Sequence, residues 1–103
     1  MPARASARHS WHERARAELL EATDYYADQG GTLADDFLTE VERGIRFILR
    51  NPGGAPVISA GGVRRKVLAR FPYSLLYITE SDRIRIVALM HQKRRPGYWT
   101  GRA

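Results

Sequence analysis

The chain has 103 residues, 44% of them hydrophobic and 27% charged, and no cysteine. A chain of this length supports one core and leaves no room for a second domain. The missing cysteines exclude a disulfide scaffold, a thiolate zinc site and a cysteine nucleophile together, and no apolar run approaches the roughly 18 residues that span a bilayer. Residues 1–63 hold 7 Lys/Arg against 9 Asp/Glu, a net of −2, whereas residues 64–103 hold 10 against 2, a net of +8. So concentrated a cation favours an anionic partner, either nucleic acid or an acidic protein surface, unless it serves only solubility. Met1 to Ser10 is positively charged with no apolar stretch behind it, so no secretory signal is read and the cytoplasm is the expected compartment.

The first half is helical by period. Ala15, Leu19, Ala22 and Tyr26 recur at spacings of four and three, with Glu18, Glu21, Asp24 and Asp28 assigned to the opposite face. Ser10 with Glu13 forms a capping-box pattern, and His12 is the alternative boundary. Gly30-Gly31 closes this helix. A second opens at Thr32 with Asp35 in its first turn, runs through Leu33, Phe37, Val41, Ile45 and Ile48, and stops at Asn51-Pro52.

From Val63 the period falls to two. Strands are expected over 63–69, 73–79 and 83–90, the last two joined by a tight turn at Glu80-Ser81-Asp82. Weak alternation over residues 3–11 adds a short edge strand at most. The expected fold is α+β, a two-helix hairpin packed on one face of a small antiparallel sheet of three to four strands. Its parts are a weak first strand or disorder over 1–10, the hairpin over 11–50, the sheet over 63–91 and a basic tail over 92–103.

Strand alternation puts Arg64 and Lys66 on one side with Arg70 following, and Arg83 and Arg85 opposite Ile84 and Ile86. With helices on the Ile side, the uncovered sheet face would present a row of cations, extended by Lys93, Arg94 and Arg95. Guanidinium groups at fixed spacing suit phosphate or carboxylate; a solvated face needing charge is the ordinary alternative. His91, Tyr98 and Trp99 adjoin the cluster. Metal-free RNA cleavage needs a base for the 2′-hydroxyl, cations for the phosphorane and a proton donor, roles open to His91, Tyr98 and the arginines. The rival reading has His91 ending a strand while Tyr98 and Trp99 pack over the sheet. His9 and His12 have a helical metal spacing with no third ligand in view.

Taken in order, Ala17-Glu18-Leu19-Leu20-Glu21-Ala22, Phe37-Leu38-Thr39-Glu40-Val41-Glu42, Asn51-Pro52, Val63-Arg64-Arg65, Arg70-Phe71-Pro72-Tyr73 and His91-Gln92-Lys93-Arg94-Arg95-Pro96-Gly97-Tyr98-Trp99 resemble the RelE/ParE superfamily of type II toxins. The resemblance spans about residues 11–99 and leans to its ParE-like, plasmid-stabilisation branch. It implies a single bacterial toxin domain without cofactor or metal, held by a cognate antitoxin whose acidic C-terminal segment meets the basic sheet, as a dimer or a higher toxin–antitoxin complex. Members of the ParE branch inhibit DNA gyrase. The alternative branch cleaves mRNA on the ribosome, and here would use His91, Arg94, Tyr98 and Arg70 with cations from Arg64 and Lys66. A degenerate, non-toxic binding module is the third reading. Target or antitoxin contacts are expected from Arg64, Lys66, Arg70, Arg83, Arg85, Lys93, Arg94, Arg95, Tyr98 and Trp99.

Overall fold

The computed structural model describes residues 8–103. Strand β1 (His9–Trp11) leads into α1 (Glu13–Asp28) and α2 (Leu33–Arg50), followed by β2 (Arg64–Val67), β3 (Tyr73–Thr79), β4 (Ile84–His91) and a 3-10 turn at Thr100–Arg102. The expected strand over residues 3–11 is thus seen from His9 onward; Arg8 is a turn residue whose carbonyl accepts from the Ile84 N–H at 2.9 Å, and residues 3–7 lie outside the described residues.

Helix α1 is opened by His12, whose extended backbone lets its imidazole Nδ1 accept from the Arg14 N–H at 3.0 Å. Ser10 is therefore not the cap: it sits inside β1, opposite Arg85. Gly30 and Gly31 take positive φ of 86° and 64°, conformations that side chains resist, and turn the chain into α2. Thr32 is the N-cap of α2, but its hydroxyl donates to Asp36 at 3.1 Å instead of accepting a backbone N–H.

The sheet order is β1-β4-β3-β2. Three strands are antiparallel as expected, while β1 joins β4 in parallel, with Ser10 opposite Arg85. The helical hairpin between β1 and the rest of the sheet supplies the long crossover that a parallel edge needs. Phe37, Val41, Ile45 and Ile48 of α2 pack on Leu75, Tyr77, Ile84, Ile86 and Leu89. The approach is close: a Cβ on Gly44 would meet the side chains of Leu75 and Leu68 at 2.8 and 2.9 Å. Tyr26, Phe37, Phe71 and Tyr73 close one end with ring centroids 5.0 to 6.4 Å apart.

Two features depart from strict alternation. Leu76 pairs with Ala88 and Tyr77 with Ile86, so Val87 is an extra residue, a β-bulge. Moreover, the face away from the helices is not bare: Val63, Leu76, Val87, Ala88 and Met90 form a second apolar cluster roofed by Trp99, which is 7% exposed.

Candidate functional site

The expected row of cations on the uncovered face is not assembled. Register pairs Arg64 with Tyr77 and Lys66 with Leu75, both helix-side residues, so Arg64 and Lys66 point toward the helices. Arg64 donates to the carbonyls of Ala55 (2.6 Å) and Gly53 (3.3 Å), tethering the loop after α2. Lys66 lies 4.3 Å above the Phe47 ring. Arg70, at a positive φ of 69°, leans on Asp36 at 3.7 Å. Arg85 is on the opposite face, across from Ile78, together with Arg65, which donates to Ser74 at 3.0 Å. Arg83 precedes β4 beside Asp82. Lys93, Arg94 and Arg95 are exposed on the turn after β4. Trp99 is a core residue, so it offers little surface to any target.

Three expected residues do meet. His91, Arg94 and Tyr98 line a cleft of about 220 Å³ between α1 and the C-terminal segment, together with Glu18, Glu21, Tyr25 and Tyr73. The His91 ring stands edge-on to Tyr73 at 5.0 Å, and its Nδ1 accepts from the Lys93 N–H at 3.0 Å, which leaves the ring proton on Nε2. The guanidinium of Arg94 lies over the Tyr98 ring, 3.9 Å from its centroid. The Tyr98 hydroxyl is buried beside Glu18 without a hydrogen bond of good geometry. Burial first, and then the Glu18 carboxylate, push its ionisation far above the ordinary phenol value, against smaller opposing effects of Arg102 and Arg94.

The cleft sets acidic and basic side chains side by side, with Glu18 and Glu21 in the same wall as His91 and Arg94. The Glu18 carboxylate is paired with Arg102 at 3.0 Å, so Glu21 is the carboxylate of the wall without an ion pair among the described residues. Arg64 and Lys66 belong to β2, across β3 from the strand that carries His91, while Arg70 lies in the loop before β3 and turns to Asp36 at 3.7 Å.

Glu18, expected on the solvated face of α1, instead turns inward. Its Oε1 accepts from the Leu89 N–H and from Arg102 Nη1, both at 3.0 Å. A signal was present: Ala15, Glu18 and Ala22 recur at three and four, so Glu18 shares the stripe of the two buried alanines. The expected histidine pair is not on a helix at all, since His9 belongs to β1 and His12 is spent on the cap.

Apart from the cleft, an apolar groove of about 500 Å³ runs between β1 and both helices, walled by Trp11, Leu19, Leu38, Val41, Ile45 and Leu49. No helix among the described residues is long and apolar enough to cross a membrane.

A two-helix hairpin on a four-stranded mixed sheet is also the fold of a chain in the solved chromosomal ParDE toxin–antitoxin system of P. aeruginosa. The two are 22% identical and superpose with a TM-score of 0.69 over 81% of this chain and 92% of that one. The model of the ParE toxin family, the toxin of the parDE type II toxin–antitoxin system, matches residues 10–96. This chain belongs to that family. A comparison with curated proteins returned no match.

Proposed function

We propose that this toxin-family chain arrests growth by binding DNA gyrase in the cytoplasm, without catalysis of its own, and that a cognate antitoxin neutralises it. Membership of the ParE toxin family is the observation that carries the reading. The exposed run Lys93-Arg94-Arg95 supplies a cationic docking surface for the target. The apolar groove walled by Trp11, Leu38 and Ile45 has the shape and chemistry for an amphipathic antitoxin helix, which would anchor at i, i+3 and i+4 positions. An acidic segment following that helix is drawn to the basic second half of the chain.

The mRNA-endonuclease reading draws on one observation, the meeting of His91, Arg94 and Tyr98 in a single cleft. Against it stand Glu18 and Glu21 in the same wall and the separation of Arg64, Lys66 and Arg70.

The deciding experiment induces the toxin in bacteria and follows DNA and protein synthesis by pulse labelling, beside a supercoiling assay with purified gyrase. DNA synthesis should fail first, supercoiling should be inhibited, and Tyr98→Phe should remain toxic. Translation failing first, with Tyr98→Phe and His91→Ala both inactive, transfers the function to mRNA cleavage. No effect on either synthesis leaves a binding module that has lost its toxicity.

A further inference from the structure

The C-terminal residues do something that neither the family match, which ends at residue 96, nor the proposed target accounts for. Strand β1 covers β4 only from Ile84 to Ile86. From Val87 to His91 the same edge of β4 has no neighbouring strand among the described residues. A strand laid there would bond to the outward-facing backbone groups of this stretch. Two of them are occupied by side chains instead: the Leu89 N–H donates to Glu18 at 3.0 Å, and the Val87 carbonyl accepts from Arg102 Nη1 at 3.1 Å. Arg102 and Glu18 are themselves paired at 3.0 Å, with only 9% and 14% of their side chains exposed.

Arg102 is held in place by the segment before it. Gly97 turns the chain with a positive φ of 77°, Trp99 is set into the outer cluster, and the Tyr98 ring is flanked by the guanidinium groups of Arg94 and Arg102. The strap therefore has its own apolar anchor and ends in an ion pair positioned on the backbone of β4. Unpaired edges recruit further strands, and inward-placed charges are a recognised means of preventing it.

We infer that residues 97–103 are a latch that closes the Val87–His91 edge of β4, and that the occupant it excludes is the same edge of a second copy of this chain. The edge is self-complementary: two copies related by a two-fold axis would pair antiparallel across Leu89, each supplying the groups the other lacks.

The test uses the full chain and Arg102→Ala, followed by amide hydrogen exchange and sedimentation velocity. In the variant the Leu89 amide should exchange about tenfold faster or more, while amides of Leu75 and Tyr77 in β3 keep their protection. It should also form a concentration-dependent dimer under conditions where the parent chain is monomeric. Unchanged Leu89 protection overturns the latch. So does equal acceleration in β3, which would reduce Arg102 to a general contributor to stability. A freed Leu89 amide without dimerisation, or a parent chain that dimerises equally, overturns it as well.

Discussion

His9 shows how one side chain couples the fold to pH. Its Nδ1 is buried without a hydrogen-bond partner at the mouth of the groove between β1 and the helices. Burial, and secondarily the charge of Arg16, hold its pKa below the ordinary 6.5. In the unfolded chain His9 recovers that ordinary value, so on acidification the unfolded state takes up the proton first. The stability associated with a neutral His9 is therefore complete above pH 6.5 and declines as the pH falls below it. Replacing the imidazole by an apolar group removes the difference between the two states. His9→Leu should accordingly lose less stability than the parent between neutral and mildly acidic pH, read as the shift in urea midpoint. Parallel pH profiles for the two proteins would assign the acid sensitivity to other groups.

At the level of elements, α2 supplies the longer buried stripe of the hairpin, with Phe37, Val41, Ile45 and Ile48 against Ala15 and Ala22 of α1. Phe37 is fully buried and its ring touches Tyr26 of α1, Phe71 before β3 and Tyr73 of β3 at 5.0 to 5.3 Å. Phe37→Ala should thus cost about 3–5 kcal/mol, because it removes a large buried ring and leaves a cavity bounded by three separate elements. A midpoint change well below that range in chemical denaturation would mean that the neighbouring rings collapse into the space. The pattern that marks Phe37 as core, apolar residues at three and four from Leu33 to Ile48, is local, and so α2 was legible in the sequence with its Thr32 and Asn51 boundaries. The span Tyr73–Thr79 was legible for the same reason, from dense β-branched and aromatic residues. What the sequence did not disclose depends on partners far along the chain. The bulge at Val87 resets the face of every later residue in β4, and only pairing with β3 reveals it. Arg64 and Lys66 alternate correctly, but which side of the sheet they share is decided by the register of β2 against Leu75 and Tyr77. Glu18 shares the local stripe of Ala15 and Ala22, but the groups that hold its carboxylate inward, Leu89 and Arg102, lie 71 and 84 residues away.

At the scale of the described molecule, an apolar groove and a cationic turn are built from different elements. The helices and β1 offer an apolar groove with Glu42 and Arg46 among its walls, whereas the exposed Lys93, Arg94 and Arg95 form a compact cationic projection beside the latch. An apolar groove secures affinity through buried area and acts mainly on dissociation; an exposed cluster of like charge acts mainly on encounter and is screened by salt. If the target is met by the projection and the antitoxin by the groove, the two interactions should separate in one variant. Lys93→Ala combined with Arg95→Ala removes exposed charge and spares the Arg94 contact with the Tyr98 ring, so the melting temperature should move by no more than a few degrees. Association with gyrase should slow by about tenfold or more at low ionic strength, with a flatter salt dependence than the parent. Antitoxin binding should keep the dissociation rate set by the groove. Stopped-flow or surface-plasmon kinetics at low and high salt, with each partner in turn, would decide it. A variant that lost antitoxin through faster dissociation while its gyrase association rate was unchanged would reverse the assignment of the two surfaces.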